Sequence, residues 1–115
     1  FGHGPSIAEF VLGAMLVLSR DLLAADRALR AGRWLNPQYD PAVPLASLVG
    51  ARTVVILGTG EIGASAASLC RRLGLTCVGV NRDGRDIEGF DRVLPLGRLD
   101  EALARADFLV VAVPL

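Results

Sequence analysis

The chain has 115 residues, twelve basic and twelve acidic, and a formal net charge of zero. That length allows one domain with a core but not a two-domain enzyme. The charge balance gives no footprint for nucleic acid or for an anionic membrane surface. Apolar residues make up 52%, which excludes disorder and suits a well-buried α/β fold. All twelve basic residues are Arg, so chemistry that needs a Lys base or Schiff base is excluded from this segment.

The first predicted element is one long helix from about Ser6 to Ala31. Ser6 stands as its N-cap, and Glu9, three residues on, completes a capping box. Ile7, Val11, Ala14, Met15, Leu18 and Leu22 recur at helical spacing, with Phe10, Leu12, Leu16 and Val17 on the other sides. A helix so apolar nearly all round is expected to be buried nearly all round. Its first half carries more apolar surface than one partner needs, and a subunit interface accounts for the excess. The run Phe10–Leu18 is too short to span a bilayer, and no signal peptide precedes it. A cytoplasmic protein is the expectation. Gly32 ends the helix, and Trp34 reads as a packing anchor at its exit. Residues 36–50, with Pro37, Asp40, Pro41 and Pro44, read as a connecting loop.

From residue 51 the pattern changes. Strands are predicted at Thr53–Leu57, Thr76–Val80, Arg92–Leu94 and Phe108–Val113, and helices at Ile62–Leu73 and Leu99–Arg105. Asp100 and Glu101 sit in the first turn of the last helix, where they complement its dipole. The strands are short and continuously apolar, as expected when helices cover both faces. Alternating strands and helices argue a doubly wound parallel sheet, here in part, preceded by the long helix.

Between the first strand and its helix stands Gly58-Thr59-Gly60-Glu61-Ile62-Gly63. A GxGxxG string alone is weak; between a strand and a helix, in one βαβ unit, it marks a Rossmann-type dinucleotide site. Gly58 permits the tight turn, Gly60 lets the backbone approach a pyrophosphate, and Gly63 lets the helix pack closely. The phosphates then face the helix N-terminus. Glu61 is expected to be exposed, with its backbone nearer the cofactor than its carboxylate.

The end of the second strand often carries an acid for the ribose 2′-hydroxyl of NAD. Here that place falls to Asn81, eighteen residues past Gly63, followed by Arg82 and, nearby, Arg85. A guanidinium pairs bidentately with a 2′-phosphate, so these residues favour NADP. An inward-pointing Asp83 would restore NAD. Val113-Pro114 ends the last strand and can line a crevice at the carboxyl edge of the sheet.

Other chemistry is poorly supplied. His3 is the sole histidine and has no local acid partner, which disfavours a Ser-His-Asp triad. One His, two separated Cys and no acidic cluster disfavour a metal site. Cys70 and Cys77 read as buried thiols on a helix and a strand, not as a disulfide framework.

Three stretches together resemble the D-isomer-specific 2-hydroxyacid dehydrogenases. They are Ser6–Phe10 opening the long helix to Gly32-Arg33-Trp34; Leu48-Val49-Gly50 with Val54–Gly63; and Leu99–Leu103 with Ala106-Asp107 leading to Val113-Pro114-Leu115. The resemblance spans nearly the whole chain. It implies that the long helix helps form a homodimer, and that Gly58, Gly60, Glu61, Ile62 and Gly63 contact the pyrophosphate. It places Asn81 and Arg82 at the adenosine ribose, and Val113 and Pro114 beside the adenosine half. The missing acid at Asn81 resembles the branch of glyoxylate and hydroxypyruvate reductases that favours NADPH, acting on a small 2-keto acid. The family's catalytic Arg, His and Glu would lie past Leu115, and the substrate domain would be mostly absent. No catalytic residue is therefore carried over, and the chain reads as one partial domain of a longer protein. The competing reading is a non-catalytic, dinucleotide-responsive interaction protein on the same scaffold, as in corepressors that resemble this family.

Overall fold

The computed structural model describes residues 3–34 and 52–114; the predicted loop 36–50 and the Leu48-Val49-Gly50 stretch lie outside them. The elements run α1 (Gly4–Arg20), α2 (Leu22–Arg30), β1 (Thr53–Leu57), α3 (Glu61–Arg72), β2 (Thr76–Asn81), β3 (Arg92–Pro95), a 3₁₀ turn (Leu96–Arg98), α4 (Leu99–Arg105) and β4 (Phe108–Val111). All strand pairs are parallel and the order is β3-β2-β1-β4. The chain therefore builds outward from β1 in one direction, then returns to place β4 on its other side. This is the strand order expected of the first half of a doubly wound sheet.

Apolar alternation divides the core between the two faces of the sheet. Val54 and Ile56 join Ala66, Ala67 and Cys70 of α3 and Ala8 and Met15 of α1. Val55, Val78, Val80 and Leu94 join Ala102 of α4 on the opposite face. The α1–α3 contact is made of small residues: a Cβ on Gly4 would run into the Ser65 hydroxyl. Cys70 and Cys77 are buried in the first cluster as free thiols, as expected. The Cys77 Sγ donates to the Ala67 carbonyl at 3.6 Å. Its pKa is pushed up by the adjacent Cys70 and by burial.

Four expectations need correction. The helix N-cap is His3, with Pro5 in the first turn, and the Ser6 hydroxyl donates back to the His3 carbonyl at 3.1 Å. The long helix is broken at Asp21, which adopts φ 52°, ψ 44° and turns the chain into α2. Aspartate is among the few non-glycine residues that tolerate this left-handed conformation. The first half of the helix is not buried all round: Phe10 and Leu18 are 76% and 75% exposed, because α3 covers only one side. Trp34 anchors nothing among the described residues; it is 79% exposed.

Strand β4 also departs from expectation. It ends at Val111, two residues early, although the Ala112 N–H still donates to the Leu57 carbonyl at 2.8 Å. Phe108 and Val110 pack under α1, while Leu109 and Val111 stay exposed on the other face. The prediction that both faces are covered holds for β1 and β2 but not here.

Two aspartates close the amino edge of the sheet by the same device. Asp107, just before β4, accepts the Thr53 N–H at 2.8 Å and returns its own N–H to the Thr53 carbonyl at 2.9 Å. Asp91, just before β3, does the same with Cys77, at 2.8 and 2.9 Å. Arg52 and Arg71 pair with the two carboxylates. The Thr53 N–H, with Arg52 beside it, holds the Asp107 carboxyl below its usual range, against a small opposing effect of burial. A depressed pKa stabilises the fold above the unfolded-state value, and that stability fades as pH falls through the folded one. Asp107→Asn should therefore lower the melting temperature at pH 7, by no more than about 1 kcal/mol of stability for so exposed a pair. The gap from the parent should close below about pH 4. Melting curves between pH 7 and pH 3 check this; a gap that widens in acid would contradict it.

Candidate dinucleotide site

At the carboxyl ends of β1 and β4 the sheet changes winding direction, and a crevice of about 570 Å³ opens there. Its walls are the glycine turn from Gly58 to Ile62 and the segment from Val110 to Pro114, with Ile7 and Val11 of α1 closing one side. The position follows from topology. α3 leaves β1 on one face of the sheet and α4 leads into β4 from the other, so neither helix fills the gap at the carboxyl ends of these two strands.

Each glycine of the turn has a distinct local reason. Gly58 adopts φ 106°, and a Cβ there would run into the Ala112 carbonyl. Its N–H donates to the Val80 carbonyl at 2.9 Å, so it belongs to the sheet ladder. Gly63 is buried in the first turn of α3, where a Cβ would strike the Gly58 carbonyl oxygen and approach the Ile56 side chain. Gly60 differs: a Cβ there meets no protein atom within 4 Å. Nothing within the described chain demands glycine at 60.

Gly60 is the N-cap of α3 and makes no side-chain cap. Its carbonyl accepts the Ala64 N–H at 2.8 Å, closing the first turn. The N–H groups of Glu61, Ile62 and Gly63 thus have no helical acceptor, and the positive end of the helix dipole lies among them. The Glu61 side chain is exposed, as expected. Backbone donors, a glycine without steric need and an open crevice fit an anionic, elongated group such as a diphosphate.

The second part of the site is the loop after β2. Leu57 stands beside Val80 in the sheet, which brings Asn81 level with the glycine turn. Arg82 and Arg85 are exposed, and among the described residues neither enters an ion pair. Asp83 is also exposed; its Oδ1 accepts the Arg85 N–H at 3.3 Å and so lies against its own loop. Asn81 is half-buried and fully engaged. Its Nδ2 donates to the Thr59 Oγ1 at 3.2 Å and to the Arg85 carbonyl at 2.9 Å, and its Oδ1 accepts the Gly84 N–H at 2.7 Å.

The structure thus brings all ten expected residues to the carboxyl edge: Gly58, Gly60, Glu61, Ile62 and Gly63 in the turn, Asn81, Arg82 and Arg85 in the loop, Val113 and Pro114 across the crevice. Ile7, Val11 and Thr59 line the crevice as well, without a sequence signal that marks them for it. Thr59 is the variable letter of GxGxxG, and only its bond to Asn81 reveals it. The two helix residues face the crevice from an element read as an interface. Among the described residues no group of three or more metal-ligating side chains occurs. No helix among them is long and apolar enough to cross a membrane.

Comparison with known proteins agrees with this fold. The family model described as D-isomer specific 2-hydroxyacid dehydrogenase, NAD binding domain, matches residues 12–115. A glyoxylate reductase of Thermococcus gammatolerans is 29% identical over 110 residues, covering 94% of this chain and 33% of its own. Phosphoglycerate dehydrogenase from Lactobacillus plantarum superposes with a TM-score of 0.86 at 35% identity, over 98% of this chain and 35% of that one. The NADPH-dependent glyoxylate/hydroxypyruvate reductase of Sinorhizobium meliloti, in complex with NADP and sulfate, gives 0.78 at 28% identity, over 100% and 34%. The chain spans about a third of the length of the curated relatives it matches.

Proposed function

The chain belongs to the D-isomer specific 2-hydroxyacid dehydrogenase family, and from that premise we propose that it is the coenzyme-binding part of an oxidoreductase. That protein moves hydride between a nicotinamide cofactor, NADPH in preference to NADH, and a small 2-keto acid such as glyoxylate or hydroxypyruvate. The observation that carries the reading is the glycine turn at the head of α3, opening into the β1–β4 crevice, with a loop tied to it through Asn81 whose Arg82 and Arg85 enter no ion pair among the described residues.

Each residue then has one task. The backbone N–H groups after Gly60 hold the diphosphate, and the missing Cβ lets it approach. Arg82 and Arg85 take the 2′-phosphate, which a carboxylate at their place would repel. Val113 and Pro114 lie beside the adenosine half across the crevice. The bound nicotinamide supplies the hydride; no residue of this chain is assigned to proton transfer or to the keto acid. The exposed Phe10 and Leu18 on α1 and Leu22 and Leu23 on α2 support a homodimer through this helical arm. The relatives described as glyoxylate reductases, and the NADPH-dependent S. meliloti enzyme, support the substrate and cofactor class.

Parallel titration of the full-length protein with NADPH and NADH tests the proposal. NADPH should bind at least about tenfold more tightly, the yield of one charge-assisted contact in a solvated setting. Equal or NADH-favoured binding would defeat it.

A further inference from the structure

The side chain placed at the ribose has no free N–H to offer one. Both Nδ2 hydrogens of Asn81 are engaged, one by Thr59 in the glycine turn and one by the Arg85 carbonyl in the next loop. Its Oδ1 accepts the Gly84 N–H three residues on, closing residues 81–84 into a side-chain-capped turn. We infer that Asn81 is a positioning residue for cofactor selection: it fastens the loop bearing Arg82 and Arg85 to Thr59, so that the diphosphate turn and the phosphate-reading loop form one rigid piece. This deepens the proposed function and rests on Arg82 and Arg85 being the 2′-phosphate contacts.

Chemistry explains the residue type. The place needs two donors and one acceptor on a short stem. Of the short side chains only asparagine has them; aspartate has no donor, and serine has one. An aspartate would also bring a negative charge beside the phosphate.

Packing holds both ends of the tie. On the turn side, Thr59 cannot drift. Its methyl lies over Gly79 of β2, where a Cβ would stand 2.9 Å from the Thr59 Cγ2 and 2.8 Å from the Phe90 ring. A residue without a Cβ in mid-strand thus makes room for Thr59 and Phe90 together, and the Thr59 hydroxyl is presented to Asn81. On the loop side, Gly84 adopts φ 75° and lies so close to Pro95, at the end of β3, that a Cβ would stand 2.8 Å from its Cδ. The loop is therefore pressed onto β3 at Gly84 and tied to the glycine turn at Asn81. The exposed Arg82 lies between these two points, and the exposed Arg85 follows Gly84 with its carbonyl held by the Asn81 Nδ2. Preorganisation of this kind raises affinity by reducing the loop ordering that binding otherwise costs.

The test is equilibrium titration of NADPH and NADH on the full-length protein and its variants. Thr59→Val keeps the methyl over Gly79 and removes the acceptor. It should weaken NADPH about fivefold to tenfold, the scale of one lost hydrogen bond, and Asn81→Ala, which loses all three of its bonds, at least as much, while NADH changes less than twofold in either. Thr59→Ser keeps the hydroxyl and should retain the parental NADPH-to-NADH ratio. Thr59→Val combined with Asn81→Ala should be no weaker for NADPH than Asn81→Ala alone, because both cut one link. Should Asn81→Ala fail to fold, the Thr59→Val and Thr59→Ser pair decides by itself. Equal losses of NADPH and NADH, or an unchanged ratio in Thr59→Val, would overturn the inference. Arg82→Ala and Arg85→Ala separate the two levels. If they collapse the ratio and the tie variants do not, the tie is wrong and the phosphate reading stands. If they too leave it unchanged, the phosphate reading falls and takes the tie with it.

Discussion

Arg82→Asp should reverse the proposed cofactor preference, from NADPH to NADH, with a change in the affinity ratio of about a hundredfold. The substitution acts twice on the proposed contact: it removes the guanidinium assigned to the 2′-phosphate and sets a carboxylate in its place. A pair of unit charges about 4 Å apart at an effective dielectric near 20 is worth about 4 kcal/mol before desolvation and salt screening. Arg82 is exposed and the loop is wet, so only part of that survives. A net change of about 2.7 kcal/mol, near two-thirds of one such pair, is the hundredfold quoted. The new carboxylate also accepts hydrogen bonds from the ribose hydroxyls of NADH, which no guanidinium can do. Titration with both cofactors measures the ratio. A ratio equal to the parent's would remove Arg82 from its assigned role, whatever happened to the overall affinity.

The elements of the sheet were legible because their signals are local. Val54–Leu57 and Thr76–Val80 are apolar runs bounded by turn residues. Leu99–Arg105 carries its acids at one end and Arg105 at the other; the observed bounds of the first strand and of this helix coincide with those expected, and the second strand runs one residue further, to Asn81. The break at Asp21 was not legible, since no Gly or Pro marks it; the residue simply occupies a conformation that aspartate tolerates. Ser6-x-x-Glu9 looks like a capping box, but His3-Gly4-Pro5 starts the helix one turn earlier, Pro5 being favoured in a first turn.

The site was legible only as far as chemistry follows residue type. The glycines announce a phosphate turn, and two arginines where an acid is usual announce a different cofactor. Residue type also assigned Asn81 to the ribose, where the fold gives its amide to Thr59, Gly84 and Arg85. That bond depends on the β1–β2 register, which sets Val80 beside Leu57 and so brings together residues 22 positions apart. The strand-edge roles of Asp91 and Asp107 are hidden for the same reason. Each looks like an ordinary loop acid until parallel pairing places a free N–H opposite it.

The glycine turn separates what the fold requires from what a ligand requires. Gly63→Ala should damage the protein itself. Its Cβ meets backbone at the Gly58 carbonyl and the Ile56 methyl behind it, so α3 must lift from β1. Overpacking of this kind costs about 1–3 kcal/mol, and here the obstacle is main chain that cannot rotate away. Gly60→Ala is the opposite case. Its φ is −73° and its added methyl enters open space, so the fold should keep its melting temperature to within about 2 °C, the scale of a neutral surface change.

The affinity of Gly60→Ala for NADPH, read against its melting temperature, therefore asks whether a ligand's phosphates rest on the main chain at the head of α3. The expected result is a folded protein, as stable as the parent, that binds NADPH at least about thirtyfold more weakly, because the methyl takes up about 2 kcal/mol of close contact. NADH should weaken by the same factor, since both share the diphosphate. A Gly60→Ala protein that binds both dinucleotides as tightly as the parent would show that nothing presses against this turn.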